Sequence, residues 1–446
     1  MTDLLGLAQR VAAEAGPGEQ VEAYVSRSRS VTVRAHGGEV ESLSVAEPAG
    51  VGIRVVVDGR QGFAHCGSLD DAVVRQTLAD ARDNARFAEP DEFAGVAHPD
   101  GVPLVAAPFD PSVVDALDTS AKVALALELE RATTSRDPRV RSVRTAMYGD
   151  GVGEAAVATS TGIAVLDRSA EAYLSVAALA TDESGTTAAG SVDAARDPAT
   201  LDVAMVADDA VSRAVRMLGA GPVPSTRLAV VFEPRLAATL LGLLAGTLTG
   251  ERVAKGRSLY ADRVGESIAS SLLTLVDDPT DPRSLSASSC DGEGLATRRT
   301  DLVVDGVLQG FMHNTWTARR LGAVSTGSAV RGYRSTPGVG AVALAMVPGS
   351  STHDELVAGI DHGLLVQSLT GLHSGVNTVS GDVSVGAEGF MIRNGVVAEP
   401  VREITLASTL QRMLAGIVAV GSDLEWRPGG SAASTIVVGE MSLGGS

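Results

Sequence analysis

DGEGLATRRTDLVVDGVLQGFMHNTWTARRLGAVSTGSAVR, residues 291–331, opens with a glycine-bracketed acidic turn and continues into two apolar runs. The runs, 300–304 and 307–312, flank Asp305-Gly306, a dipeptide that tolerates positive φ at both centres of a type I′ turn. This pattern predicts a β-hairpin. Beyond it His313, Asn314, Thr315, Arg319 and Arg320 follow in close order, where a hairpin strand would run out into a loop. Loops held on a rigid sheet are where binding groups concentrate.

Outward from the hairpin, the chain of 446 residues is too long for one ordinary core at ~150 residues per domain. Only 3% of residues are aromatic while 50 are glycine, which favours tight turns, a core of Val, Leu, Ile and Ala, and substantial β content. With 36 basic against 54 acidic residues and a net charge of −18, the surface repels a phosphate backbone, so no nucleic-acid partner is expected. Cys66 and Cys290 stand in no CxxC or Cys/His spacing and read as reduced thiols. The first residues, MTDLLGLAQRVAAEAGPG, lack a basic region ahead of their apolar positions and read as an amphipathic helix instead of a signal peptide. The most apolar helical segment, 236–248, is shorter than the ~18–20 residues that span a bilayer. A cytoplasmic protein without a membrane partner is expected.

In chain order, Leu4, Ala8, Val11, Ala12 and Ala15 recur at helical spacing, with Thr2 as a cap and Gly16-Pro17-Gly18 as a stop. Strands are predicted at 21–26, 31–35, 39–43, 51–57 and 60–65, the last pair joined across Asp58-Gly59. A second helix follows, with Ser68 and Asp71 as a capping pair and Val74, Leu78, Ala81 and Ala85 on one face. Residues 99–111 suit a linker. A helix near 120–133 leads into strands at 140–147, 154–159, 164–167 and 170–180, and Asp197-Pro198 starts another helix. GAGPVPS, residues 219–225, is the clearest break. After it come a buried strand at 227–232, an apolar helix at 234–248, hairpins at Asp305-Gly306 and Asn394-Gly395, and helices at 352–360 and 404–420. The fold class is α+β: an N-terminal α/β region of meander sheets with covering helices, and a C-terminal β-rich domain with packed helices. The expected domains are 1–98, 112–219 and 225–446.

DGEGLATRRTDLVVDGVLQGFMHNTWTARRLG with the following Ser325-Thr326-Gly327, and the block SGDVSVGAEGFMIRNGVVAEPVREITLASTLQRMLAGIVAVGSDLE at 380–425, resemble the TldD/PmbA family. These are heteromeric metalloproteases also named modulators of DNA gyrase. Trp316 stands where the family usually has tyrosine, and Ser408-Thr409 where it usually has Gly-Asn. In the catalytic TldD-type subunits, the helix after the first C-terminal strand carries HExxxH, two zinc-binding histidines and a glutamate base. Aligned through GERVAKGRSLYADRVGE, residues 250–266, that motif falls on LGLLAG, so Leu241 and Gly246 replace the histidines and Gly242 the glutamate. None of these can hold a metal or move a proton. The resemblance therefore implies a PmbA/TldE-type subunit with no catalytic or metal residues and no cofactor of its own, zinc being held by a TldD-type partner. It implies a chamber shared with that partner, in which unfolded or modified peptides are cleaved after binding as added strands. His313, Asn314, Arg319, Arg320, Arg331, Asp382 and Ser384 are the candidates for contact with peptide or partner. For the residues beyond the hairpin, the competing reading is a solvated strand end with a satisfied histidine.

Other chemistry reads poorly. His353 and His362 lie nine positions apart, half a turn out of phase on a helix, and Thr352 with Glu355 reads as a capping box. Cys290 has no base signalled beside it, and no nucleophile elbow or phosphate loop appears. A peptide-binding scaffold or regulator without hydrolysis, a subunit acting on small conjugates, and a self-sufficient hydrolase using the His353–His362 cluster or Cys290 are the alternatives.

Overall fold

The computed structural model describes residues 2–106 and 112–445. Its first half runs α1 (Leu4–Ala13), β1 (Gln20–His36), β2 (Glu39–Ala46), β3 (Ala49–Val57), β4 (Arg60–Cys66), α2 (Asp71–Phe87), α3 (Ser112–Asp115), α4 (Thr119–Arg136), β5 (Val140–Thr159), β6 (Ala164–Asp182), β7 (Gly185–Ala195) and α5 (Val203–Arg216). The strands form one sheet in the order β4-β3-β1-β5-β6-β7, with β2 on β1. Residues expected to form two separate domains thus share a sheet, because β1 pairs antiparallel with β5 from Glu22–Thr159 to Ala35–Ala146. Each of β1, β5 and β6 runs through two predicted strands, and the residues between the apolar runs, 27–30, 148–153 and 168–169, stay paired in the ladder. β7 escapes sequence prediction, its Gly, Thr and Ala residues carrying little alternation. The 99–111 linker lies partly outside the described residues, at 107–111.

Caps differ from expectation by a residue or more. Asp3 caps α1 and Asp70 caps α2, each carboxylate accepting backbone N–H groups of the first turn. Asp197-Pro198 yields only a 3₁₀ turn at Pro198–Thr200; Leu201 is extended, and α5 begins afresh under an Asp202 cap.

The second half runs β8 (Thr226–Phe232), α6 (Pro234–Ala245), α7 (Gly250–Ala254), β9 (Leu275–Asp277), β10 (Thr300–Val304), β11 (Val307–Leu308), α8 (Thr315–Leu321), β12 (Ala329–Val330), β13 (Gly338–Val339), β14 (Leu344–Met346), α9 (His353–Ala358), β15 (His362–Thr370), α10 (Leu372–Gly375), β16 (Asp382–Arg393), β17 (Val396–Thr409), α11 (Leu410–Ala415), β18 (Ile417–Val420), β19 (Glu425–Trp426), β20 (Ala432–Ala433) and β21 (Ile436–Gly444). The order β17-β16-β15-β8-β21-β18, with β17 also pairing β21, closes into a barrel. Alternation divides its residues: Val230, Phe232, Leu364, Val366, Leu406 and Val438 share the large core with α6, while Val231, Leu365, Phe390 and Val437 pack with α9. A second sheet, β11-β10-β9-β14-β20-β19, carries the Asp305-Gly306 hairpin. Asp305 and Gly306 both have positive φ, 47° and 79°, as a type I′ turn requires.

The helix expected at 404–420 is replaced by the end of β17, the short α11 and β18. Ile404 and Leu406 are buried on either side of exposed Thr405, a period of two, and pairing with both β16 and β21 holds this segment extended. α9 carries the capping box expected of Thr352 and Glu355. No described helix is long and apolar enough to cross a membrane.

Candidate functional site

The two halves meet along the residues that follow the hairpin. His313 and Asn314 do not run into an open loop; they lead into α8, with Asn314 as its N-cap accepting from the Thr317 N–H at 2.9 Å. Asn314 Nδ2 donates to the Pro337 carbonyl at 3.1 Å. The His313 backbone N–H donates to Thr326 Oγ1 at 2.7 Å, and its Nδ1 lies 3.2 Å from Thr317 Oγ1. A Cβ on Gly250 would sit 2.3 Å from His313 Nδ1, so this glycine is what lets the imidazole lie against α7. Burial lowers the His313 pKa and keeps the ring neutral. Neither residue is a solvated strand end.

α8 then binds the first half. Trp316 Nε1 donates to Asp91 Oδ2 at 2.7 Å, Arg319 donates to the Val96 carbonyl at 2.9 Å, and Arg320 lies 5.5 Å from the rings of both Phe93 and Trp316. Below it is a buried charge network. Arg54, from the middle of β3, donates to Glu22 Oε1 at 3.1 Å and Oε2 at 2.7 Å, and to Glu293 Oε1 at 3.2 Å. Arg331 also donates to Glu22, and Glu293 Oε2 accepts the Thr315 N–H at 2.8 Å. The side chains of Arg331 and Glu22 have no exposed surface. Burial alone would raise the Glu22 pKa, but the two guanidinium groups outweigh it and hold the carboxyl below its ordinary value. Asp291 beside them is pushed up to about 7 by burial and by the Glu293 charge, against three backbone N–H donors that favour its ionised form.

Arg331, offered above as a peptide or partner contact, is therefore internal to this chain. Asn314 and His313 position α8, and Arg319 ties it to the first half. Arg320 remains exposed, as do Asp382 and Ser384 at the start of β16, where Asp382 Oδ2 accepts from Ser380 Oγ at 2.6 Å. The structure does not gather these seven residues into one site. Glu22, Arg54 and Glu293 were not singled out from the sequence. The available signal was a charged residue inside a buried strand pattern, as with Arg54 between Ile53 and Val55.

On α6, Leu241 is 1% exposed in the main core, and Gly242 and Gly246 face outward with no side chain. These positions offer no donor to zinc, and no group of three or more His, Cys, Asp and Glu among the described residues is arranged to hold a metal. His353 and His362 fall in different elements, at the start of α9 and of β15; His353 Nδ1 faces Thr435 Oγ1 at 3.2 Å. Burial, with the charges of Asp167 and Asp291, pushes the Cys290 thiol up to about 12, leaving it protonated and a poor nucleophile.

Comparison with known proteins adds to this geometry. Residues 21–85, 113–218 and 225–445 match the first, central and C-terminal domains of the PmbA/TldA metallopeptidases. The chain belongs to the PmbA/TldD family. The metalloprotease PmbA of Escherichia coli O157:H7 is 28% identical over 440 residues, covering 96% of this chain and 93% of that protein. A metalloprotease TldD homolog of Haemophilus influenzae is 25% identical over 455 residues, covering 96% and 93%. The crystal structure of TldE from Thermococcus kodakarensis superposes with a TM-score of 0.88 at 26% identity, covering 96% of this chain and 97% of that one. Family relatives thus carry the PmbA, TldD and TldE names, and the barrel and shared sheet are the family's fold.

Proposed function

We propose that this chain is the PmbA/TldE-type subunit of a two-subunit metallopeptidase, supplying part of the substrate chamber while a TldD-type chain holds the zinc and the glutamate base. The observation that carries this is α6. Where zinc peptidases of the family place HExxxH, this helix has a core leucine and two side-chain-less positions. Whole-length similarity to a PmbA and to a TldE supports the same assignment. Substrates are extended peptides: a chamber admits an unfolded chain, and main-chain pairing to a sheet edge tolerates varied sequence.

The test is to mix the purified chain with a TldD-type chain and follow cleavage of an unstructured peptide together with assembly mass. Cleavage is expected only in the mixture, disappearing when the partner's glutamate is replaced. The interface is expected to exceed ~1,600 Å² and to be less polar than the remaining surface. Cleavage by this chain alone at a rate the partner does not change defeats the proposal.

A further inference from the structure

At the opposite edge of the shared sheet from β4, a cleft of about 370 Å³ separates β7 from the barrel, within the ~300–1,000 Å³ range of ligand pockets. Its floor is small: Ser175 and Ala177 of β6 and the consecutive residues 188–192 of β7. Among the described residues β7 pairs only with β6, so its outer edge offers unpaired main-chain donors and acceptors. The facing wall carries Arg213, Arg235 and Arg427, with Gln367 and Glu388.

The three arginines are not equivalent. Arg213 pairs with Asp209 at 2.7 Å and Glu233 at 3.3 Å, and Arg427 with Glu425 at 3.3 Å. Arg235, in the first turn of α6, forms no ion pair among the described residues. One terminal nitrogen donates to the Gln367 carbonyl, and its Nε, buried, has no hydrogen-bond partner. Burial and the charges of Arg213 and Arg427 lower its pKa, only partly offset by Glu233 and Asp209. A half-buried guanidinium short of acceptors, set between two others, is a destabilising arrangement that an incoming anion would relieve. Guanidinium geometry suits carboxylate and phosphate alike. Asp209 and Glu388 line the same cleft and disfavour a doubly charged phosphate, whereas a single carboxylate is tolerated.

We infer that this cleft binds the C-terminal carboxylate of a short extended peptide, the carboxylate on Arg235 and the main chain along the free edge of β7. This deepens the peptide reading above and rests on it for the class of ligand, but its test needs no catalytic partner. The full chain is titrated against N-terminally fluorescein-labelled Ala-Ala-Val-Ala, as the free acid and as the C-terminal amide, with anisotropy as the readout.

The acid is expected to bind at least tenfold more tightly than the amide. Arg235→Gln should erase the preference and Arg235→Lys should keep part of it, while Arg227→Gln, on an exposed pair with Glu440, leaves it unchanged. Thermal melts establish that each variant is folded. Should Arg235→Gln fail to fold, Glu388→Gln gives an independent reading, tightening the acid about threefold and leaving the amide alone. Equal affinities for acid and amide, no binding of either at millimolar concentration, or a preference surviving in folded Arg235→Gln overturns the inference. Displacement by N-acetylalanine as effective as by unlabelled peptide overturns the assignment to an extended chain. Failure of cleavage in the two-subunit mixture, with the acid preference intact, would count against the subunit assignment and not against the cleft.

Discussion

The two halves of the molecule face each other through arginines in two places, and the two are built in opposite ways. Under β1 and β3, Arg54 and Arg331 are buried against Glu22 and Glu293, with Glu22 shared between the two guanidinium groups and Arg54 shared between the two carboxylates. Beside β7, Arg235 has a cleft in front of it and no carboxylate bonded to it among the described residues. Burying ions is costly, and a pair repays that cost only where geometry is close to ideal, so the first arrangement fixes how the halves dock more than how strongly. The second gains nothing from docking. The shared sheet is locked to the second half through β1 and β3, and its β7 edge is left available.

Breaking the lock should give the largest effect. Arg54→Met takes from Glu293 its bonded guanidinium and leaves Glu22 to Arg331, and should cost ~3–5 kcal/mol in urea denaturation. A loss below ~1 kcal/mol would show that the network is not what holds the halves. Next in size is a buried carboxylate with no cation paired to it among the described residues. Asp277 Oδ1 accepts the N–H groups of Val342 and Ala343 at 2.9 and 2.7 Å, its Oδ2 has no hydrogen-bond partner among the described residues, and burial pushes its pKa up to about 6. Because the folded value lies above the ordinary 3.8, its contribution is fully present below about pH 4 and is lost as pH rises through about 6. The loss is about 3 kcal/mol at most, from roughly a two-unit rise. Asp277→Asn should remove its share of the fall in stability between pH 4 and 7, leaving the share of Asp291, which is raised to about 7; an unchanged slope would place the titration elsewhere.

Arg235→Met sharpens the contrast from the other side. Removing a guanidinium that forms no ion pair among the described residues should leave stability within ~1 kcal/mol of the parent, or raise it, in the same urea titration. A loss like that of Arg54→Met would make Arg235 structural. Smallest is Arg320→Ala, which removes only exposed contacts to the Phe93 and Trp316 rings and should cost ~0.5–1 kcal/mol in thermal denaturation.

Local signals were readable wherever chemistry within a few residues decides structure. Asp58-Gly59, Asp305-Gly306 and Asn394-Gly395 each make the expected turn, with positive φ at all six residues. The Thr352–Glu355 box and the apolar faces of α1 and α2 follow the same rule. Long-range pairing was not readable. Ile404 to Ile417 satisfies helical spacing tolerably, and only β16 and β21, distant in sequence for the latter, decide that half of it is strand. The candidate contacts lie apart in the structure, and two of them are buried, for a related reason. Arg331 and His313 are polar and near a hairpin, but Glu22 and Gly250, which bury them, carry no mark of that role in their own neighbourhoods.

The barrel's closure has a consequence for biosynthesis. β8 (Thr226–Phe232) has two neighbours, β15 and β21, and β21 begins at Ile436. During translation at ~5–20 residues per second, the edge of β8 that will receive β21 must wait on the order of 10–40 s after it leaves the ribosome. The seven-stranded sheet needs no such late arrival, since its strands are complete by Ala195. The emerging chain is therefore a folded amino-terminal half trailing an unpaired apolar strand, the species that nascent-chain chaperones bind and that misassembles when synthesis stalls.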